Sequence, residues 1–407
     1  MKHFITFSAL TLFAISLASC EKEFESVQVG SRQDIHLTRS EREVMQANND
    51  FAFELFKAAF LYSSGHSFLI SPLSAEAVLS MLASGADEPT RQQIYSLLGQ
   101  TETTSREINA LFSKLTKGLK TVDPSTKFTM ANSFWMAESI PVHKDYVSLV
   151  KEDFGGDVVS FNPSKGGNAI MNQVNSWVSS KTEGQIPDFL ENPSYISSAM
   201  LLNALYFKGY WKDKFDPSAT KKGSFTKLTG GTTDKSFMKR SGQMNCGYFI
   251  DENTVYCQFP FGADAYRLSI ILPPEDMDFG KFVSSVDYEK WIYRDMAKIE
   301  VRASIPRLSL RSKMDLSPVL GAMGFSLPEG VFSGIADDVR FSSLLQETRY
   351  TQEENGVEAA SATMATQYGL GKLSEKKVID FIADRPYVML IDEVTSGAIL
   401  FIGAVTE

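Results

Sequence analysis

Apolar residues recur with a helical period through the first third of the chain. This period covers residues 50–60, 73–83, 146–154 and 169–180. Ser71-Pro72 provides an N-cap and a first-turn proline for the second of these helices. A capping box over Thr90–Gln93 predicts the start of another helix, and Gly99 predicts its end. The first part of the chain is therefore predicted to be mainly helical.

Strand patterns dominate the remainder of the chain. Residues 199–207 are continuously apolar apart from Asn203, which predicts a strand buried on both faces. Other strands are predicted at residues 254–259, 267–272, 299–305, 387–391 and 398–405, of which the last two form a hairpin. Because helices come first and strands follow without regular alternation, the pattern favours an α+β fold. No repeat or Pro/Gly-rich linker divides residues 40–407, so we expect a single domain.

Composition limits the functions that this chain can have. Its 407 residues include 43% apolar and 22% charged residues, which is enough apolar material for one large core. A net charge of −9 argues against a general nucleic-acid or anionic-membrane binder. The sequence has no G-x-S-x-G elbow and no H-E-x-x-H motif, and its four histidines are scattered. We therefore expect neither an enzyme nor a metal or cofactor site.

The first twenty residues have the features of an export signal. Lys2 and His3 precede an apolar run, residues 4–17, which is too short to cross a membrane permanently. The run ends in small residues followed by Cys20, a pattern that resembles a bacterial lipobox, whose cysteine receives a lipid. An ordinary signal peptide with a chance cysteine is the alternative.

The predicted organisation is a signal peptide at residues 1–19, a lipidated tether at 20–37 and one domain at 38–407. Acidic residues at 21–23 resemble a surface-export tag of some bacterial lipoproteins. We therefore expect an exported protein, anchored by its lipid to the outer membrane at the cell surface.

Residues 353–377 interrupt the pattern of the domain, because they lie between two apolar strands and form no obvious element. A structureless segment of this length inside a compact domain is uncommon and is usually functional or disordered. Its first half contains a run of small residues, Ala359, Ala360, Ser361, Ala362 and Thr363. Side chains of this size would slip easily between existing strands.

These features, taken with six longer stretches, resemble the serpin family of serine protease inhibitors. The stretches are ISPLSAEAVLSMLASGA (70–86), NSWVSSKTEGQIPDFL (175–190), LLNALYFKGYWKDKF (201–215), YRLSIILP (266–273), FSGIADDVRFSSLLQETRYTQEENGVEAASAT (332–363) and ADRPYVMLIDEVTSGAILFIGAV (383–405). They occur in the family's order and cover nearly all of residues 45–406.

The resemblance implies a serpin fold with three β-sheets, about nine helices and an exposed reactive loop at about residues 354–377. It also implies a suicide-substrate mechanism, in which a protease attacks the loop and forms an acyl-enzyme. The cut loop then inserts as a new strand of the large sheet and traps that protease. The expected partners are chymotrypsin-, elastase- or subtilisin-like serine proteases, bound covalently by a monomeric inhibitor.

The small residues of the loop agree with the implied insertion, because successive side chains of a strand point to opposite faces. The face that would lie under the sheet has no charge and no large side chain; it contains Val357, Ala359, Ser361, Thr363 and Ala365. The face that would meet solvent contains Glu358, Ala360, Ala362 and Met364. Gly356 provides a pivot before both sets.

The alternative is a non-inhibitory serpin that acts as a binding or carrier module. Such a protein would be expected to have Pro or a charge within the small-residue run, and residues 359–363 have neither. The run therefore favours an inhibitor.

The family's hinge spacing puts the scissile bond fourteen residues after Gly356, between Leu370 and Gly371. Leu370 would fill the primary pocket of the protease, which disfavours trypsin-like enzymes. Tyr368 is the alternative, because a loop can be cut two residues earlier.

Other functional positions carry over from the resemblance one at a time. Trp211 and Glu354 match positions where the sheet first opens for the loop. A polar cluster beneath the centre of the sheet is matched by Ser71, Ser74 and Asn203. Gln346 stands where most relatives have a His in this cluster. Because Gln can both donate and accept, we expect altered opening kinetics rather than lost function.

If Cys20 is lipidated, Cys246 and Cys257 remain, and an even pair in an oxidising compartment favours a disulfide. They lie about equally far from a predicted turn at residues 251–253. Opposed positions on antiparallel strands can be close enough for this bridge.

Overall fold

The helices lie mainly in the first half of the chain, as the pattern predicts. The structure, a computed structural model, describes residues 31–100, 105–249, 253–327, 330–337, 339, 341, 343–354 and 378–407. Within them are α1 (Arg39–Tyr62), α2 (Pro72–Gly85), α3 (Glu88–Leu97), α4 (Ser105–Thr121), α5 (Lys144–Glu152), α6 (Gly167–Lys181), α7 (Phe279–Ser285), α8 (Tyr288–Ile292) and α9 (Leu316–Ala322).

Local capping explains where two of these helices begin. The Ser71 hydroxyl accepts a hydrogen bond from the Ser74 backbone N–H at 3.3 Å, so α2 starts where the sequence predicts. The predicted capping box at Thr90–Gln93 is wrong. Helix α3 begins earlier because the Asp87 carboxylate accepts the Thr90 N–H at 3.3 Å. Gly99, with a φ of 64°, follows the end of α3 as predicted.

Fourteen strands lie within the described residues. They are β1 (Phe68–Ile70), β2 (Lys127–Ala137), β3 (Asp157–Phe161), β4 (Ala199–Lys208), β5 (Lys221–Thr226), β6 (Thr232–Tyr248), β7 (Val255–Phe261), β8 (Tyr266–Leu272), β9 (Ala297–Pro306), β10 (Leu308–Asp315), β11 (Leu345–Gln352), β12 (Val378–Ile382), β13 (Tyr387–Glu393) and β14 (Ile399–Val405). The predicted hairpin is β13–β14, which pairs antiparallel.

The strands form three sheets in the described part of the chain, which confirms the α+β class and the expected number of sheets. One sheet has nine strands, in the order β1-β14-β13-β8-β7-β6-β9-β12 with β5 attached to β6. A three-stranded sheet has the order β3-β2-β4, and β10 pairs only with β11. We call these two smaller sheets together the split layer.

Helix α2 lies between the nine-stranded sheet and the split layer, because it contacts both β14 and β4. Nearly all of its side chains are buried. On β4, Leu201 and Leu205 belong to the main core, whereas Leu202 and Ala204 pack in a second core that includes residues of α6. The predicted burial of this strand on both faces is therefore confirmed, with α6 covering the face opposite the main core.

The predicted tether does not extend to residue 37. The Gln33 N–H donates to the Val122 carbonyl at 2.9 Å, and the Ile35 N–H donates to the Thr395 hydroxyl at 2.9 Å. Ile35 is only 6% exposed and packs within the main core. The boundary at residue 37 is therefore wrong, because an apolar side chain and two backbone hydrogen bonds fix this segment to the domain. Cys20 and the signal peptide lie outside the described residues.

Candidate functional site

The split layer has two strand edges that face each other without pairing in the described part of the chain. Strand β4 pairs with β2 on one side, and β11 pairs with β10 on one side. A strand edge without a partner leaves a row of backbone N–H and C=O groups available for another strand. We call the space between β4 and β11 the open groove.

Two cavities of different size lie along the open groove; we call the end with the larger cavity its wide end and the end with the smaller cavity its narrow end. At the wide end lies a cavity of about 530 Å³. One of its walls is formed by the end of β4 and the residues that follow it (206–211), and the other by the end of β11 (349–353). At the narrow end, a cavity of only about 20 Å³ lies between residues 199–202 and Leu345. The carboxyl ends of the two strands therefore meet at the wide end, which makes β4 and β11 parallel neighbours.

One side chain bridges the wide end. The Trp211 indole N–H donates to the Glu353 backbone carbonyl at 2.7 Å, and its ring stacks on Phe261 at 4.6 Å between centroids. Trp211 is therefore fixed by packing while it holds the end of β11. The structure thus places Trp211 next to Glu354, the two residues that the sequence assigns to sheet opening.

Glu354 anchors the chain at the point where the reactive segment departs. Its buried carboxylate accepts hydrogen bonds from Arg307 at 2.8 Å and from the Thr220 hydroxyl. Burial alone would raise the pKa of this carboxyl, but Arg307 and Thr220 lower the pKa below its ordinary value. The anchor is therefore intact at neutral pH, and its contribution to stability is lost only as the pH falls through that lowered pKa.

A polar cluster beneath the groove joins the two halves of the split layer through α2. The Ser74 hydroxyl donates to Asn203 Oδ1 on β4. On the other half, Gln346 Nε2 donates to the Ser71 carbonyl at 2.9 Å, and Gln346 Oε1 accepts the Ser71 N–H at 2.8 Å. The structure therefore brings Ser71, Ser74, Asn203 and Gln346, the positions that the resemblance implies, together in one hydrogen-bonded cluster.

The Gln346 side chain forms two hydrogen bonds with the backbone of a single residue in this cluster. Its amide uses both a donor and an acceptor on the backbone of one residue, Ser71, which holds the N-cap of α2 to β11. Asn132, which the sequence reasoning missed, extends the cluster to β2, because Asn203 Nδ2 donates to Asn132 Oδ1 at 2.6 Å. The sequence does contain a signal for Asn132, because it is a polar residue in a mainly apolar strand pattern.

Residues 182–198 join α6 to β4, and we call this connection the strap. It contains a second set of residues at the groove that the sequence reasoning missed. Gln185 of the strap lines the wide cavity of the open groove, and Leu190 and Tyr195 line the narrow cavity. The strap therefore follows the groove along its whole length, and an incoming strand would have to displace it.

Ion pairs fasten the strap to the β10–β11 half of the split layer. Asp188 pairs with Arg349 on β11, and Glu191 pairs with Arg311 on β10 at 2.7 Å. Both arginines also donate to the buried Glu347 at 2.9 Å, which fixes their guanidinium groups. The nearby cations, Lys313 first and then Arg311, lower the pKa of Glu191. Since the strap continues into β4, these pairs connect the two sides of the open groove.

The predicted hinge and reactive bond lie outside the described residues. These are Gly356, Val357, Glu358, Ala359, Ala360, Ser361, Ala362, Thr363, Tyr368, Leu370 and Gly371. The described chain stops at Glu354, at the wide end of the open groove, and continues at Val378, the first residue of β12 in the nine-stranded sheet.

The predicted disulfide is not present in the structure. Cys246 and Cys257 lie directly opposite each other on antiparallel β6 and β7, as expected, but both are free thiols. Burial is the main cause that raises the pKa of the Cys257 thiol, and its hydrogen bond with Cys246 raises this pKa further. Formation of a bridge proceeds through a thiolate, so these fully buried thiols are disfavoured as reactants.

The described part of the chain contains no group of three or more His, Cys, Asp or Glu side chains that could hold a metal ion. Among the same residues, no helix has the length and apolar character of a membrane span.

The strap provides a test of the open groove. In the double variant Asp188→Asn, Glu191→Gln, we expect hydrogen exchange of the β11 amides to become severalfold faster, because the ion pairs no longer hold the groove closed. Added salt should speed exchange in the natural protein and have little effect in the variant. The matched control is Asp145→Asn, Glu152→Gln on α5, where both carboxylates are exposed and form no ion pair among the described residues. Equal exchange in both variants would show that the strap does not restrain the groove.

Comparisons with known proteins agree with this geometry. A family model described as Serpin (serine protease inhibitor) matches residues 46–407. Human serpin I2 is 30% identical over 379 residues, which cover 89% of this chain and 91% of that protein. A solved Arabidopsis serpin in the native stressed conformation is 25% identical, with a TM-score of 0.79 over 91% of this chain and 99% of its own. Human thyroxine-binding globulin complexed with thyroxine is 22% identical, with a TM-score of 0.78 over 90% and 99% of the two chains. The chain belongs to the serpin family.

Proposed function

We propose that this serpin is an irreversible inhibitor of chymotrypsin-, elastase- or subtilisin-like serine proteases and traps them by inserting its cut loop into the open groove. Serpins are in general protease inhibitors rather than catalysts. The observation that carries the proposal is the pair of unpaired edges on β4 and β11, which open towards the end where the reactive segment departs.

The dimensions of the groove match the small residues of the loop. Strand β4 has ten residues and β11 has eight. The stretch from Val357 to Ala365 has nine residues, and the alternate positions that would face the core are all small or uncharged. Because the segment leaves from the wide end, it would reverse direction after Glu354 and enter antiparallel to both neighbours. Each inserted residue could then use its N–H and C=O on the two exposed edges.

Insertion explains how cleavage would become inhibition. The protease nucleophile attacks the carbonyl carbon of Leu370, and the bond to the Gly371 nitrogen breaks as that nitrogen takes a proton from the protease's general acid and leaves as an amine. The acyl-enzyme then holds the loop through Leu370. A strand rises about 3.3 Å per residue, so nine inserted residues carry the attached protease roughly 30 Å along the groove. The strap and the polar cluster at Ser71 must part for this movement, which places both in the path of the trapping step.

The face assignment of Val357 gives the sharpest test of this mechanism. We expect Val357→Arg to be cleaved at a near-normal rate but to trap little protease, because insertion would bury an unpaired charge. The matched control is Glu358→Arg, which puts the same guanidinium on the solvent face and should still trap protease. Incubation of each variant with chymotrypsin, elastase and subtilisin, followed by denaturing gel electrophoresis, separates complex from cleaved inhibitor. Mass spectrometry of the released peptide locates the bond.

Several outcomes would contradict the proposal. If Val357→Arg traps protease as well as the natural protein does, insertion past this residue is not the trap. A released peptide starting at Gly369 would move the reactive bond to Tyr368. If none of the three proteases forms a stable complex with the natural protein, the carrier alternative gains support, because the family also includes a globulin solved with bound thyroxine.

We also propose that the inhibitor is exported and held at the outer membrane by a lipid on Cys20, which the sequence pattern of residues 4–20 supports. In a bacterial host, Cys20→Ala should lose the incorporated lipid label and leave the membrane fraction, whereas Cys246→Ala should keep both. Equal membrane retention of the two variants would exclude anchoring through Cys20.

A further inference from the structure

A basic groove lies on the nine-stranded sheet and begins one residue after Thr220, whose hydroxyl binds Glu354 at the wide end of the open groove. Its cavity of about 440 Å³ is lined by Lys221 and Lys222 of β5 and by Lys239 of β6. The buried ring of Phe237 forms part of its wall, and Ile382 of β12 adds an apolar side chain that is 46% exposed. We call this surface the basic groove.

The charge of the basic groove is opposite to that of the whole protein. Lys221, Lys222 and Lys239 are exposed, and none of them forms an ion pair among the described residues. By contrast, the neighbouring Arg302 is paired with Asp380 at 2.6 Å. Three ammonium groups that form no ion pair within the described residues therefore stand together, beside the carboxylate of Asp384, on a chain whose net charge is −9. Such a local reversal of charge favours an anionic partner.

The basic groove lies at the carboxyl end of β12, the strand on which the reactive segment rejoins the fold. Both Ile382 and Asp380 belong to β12, which begins at Val378. Seven residues, 371–377, separate the proposed reactive bond from that strand, and they span at most about 25 Å when fully extended. A protease of about 240 residues has a diameter of roughly 45 Å. Ile382 is twelve residues beyond Leu370, which is at most about 40 Å of extended chain. This length is less than the diameter of such an enzyme, so an enzyme engaged at Leu370 is large enough to cover the basic groove.

We propose that the basic groove is a second docking surface for the target protease and selects enzymes with an acidic surface beside the active-site cleft. The proposal rests on the proposed inhibitory function. The sequence that follows the reactive bond has the same sign, with Lys372, Lys376 and Lys377 against one Glu375. Ile382 adds an apolar contact within the charged surface. Charges at the edge of an interface act mainly on the rate of association, so the groove speeds capture of such enzymes.

Two forms of one protease test this selection. Succinylation converts surface lysines of chymotrypsin into carboxylates, and the unmodified enzyme is the comparison. The full-length protein should form covalent complex with succinylated chymotrypsin about tenfold faster than with the unmodified enzyme at low salt. This preference should shrink strongly at 0.5 M salt, because the Debye length falls to a few ångströms. The triple variant Lys221→Glu, Lys222→Glu, Lys239→Glu should lose or reverse it.

A charge-matched control separates this surface from net charge. Lys144→Glu, Lys151→Glu, Lys165→Glu changes the same number of exposed lysines on α5 and after β3, and it should retain the preference. If the two triple variants behave alike, net charge and not the basic groove sets the rate, and the proposal is overturned.

Failure of the inhibitory function itself would be visible separately. Binding can also be measured with both enzyme forms after their active-site serine has been blocked, so that docking is observed without reaction. The basic groove can then be tested even if the natural protein forms no covalent complex. Preferential binding of the blocked succinylated form, lost only in the Lys221, Lys222, Lys239 variant, supports the docking surface. Tight binding of a sulfated polysaccharide, with no preference between the two enzyme forms, would assign the groove to a polyanion and overturn it.

Discussion

The structure depends on two backbone edges that are held close together and, within the described residues, are not paired. Hydrogen-bonding groups of a β-strand need partners, and an open edge accepts any strand that can reach it. Among the described residues, no strand pairs with the facing edges of β4 and β11, and the groove between them has a cavity of about 530 Å³ at one end and about 20 Å³ at the other. In the proposed mechanism, a new strand enters this wedge-shaped space at the end with the larger cavity.

Three kinds of contact keep the wedge from opening by itself. Trp211 bridges the wide end to Glu353, the Ser71 backbone binds Gln346 beneath the centre, and the strap carries ion pairs across to Arg311 and Arg349. The partly exposed ion pairs of the strap each contribute little to stability. In the proposed mechanism they therefore control how fast the groove opens, and the strand that enters supplies the stability.

The sequence predicts features that local patterns determine. Ser71-Pro72 begins α2 because its cap is local, and β4 is buried on both faces because its residues are apolar in an unbroken run. Long-range pairings leave no such pattern. Asp188 and Arg349 are 161 residues apart in the chain, so nothing near either residue indicates the strap contact. The docking of Ile35 and the raised pKa of the buried Cys257 thiol likewise depend on surroundings assembled from distant segments. The resemblance to serpins supplied the roles of Ser74 and Asn203, which as isolated polar residues would indicate only core or capping positions.

The central claim, that the open groove receives the cut loop, is tested most directly by cleaving the protein once within residues 366–371 and comparing it with the intact form. The account predicts that the cut protein melts far above the intact protein, because a new strand satisfies both edges. Hydrogen exchange of the β4 and β11 amides should slow at the same time, while exchange in the β13–β14 hairpin changes little. An unchanged melting temperature together with unchanged exchange on β4 and β11 would show that no strand enters the groove.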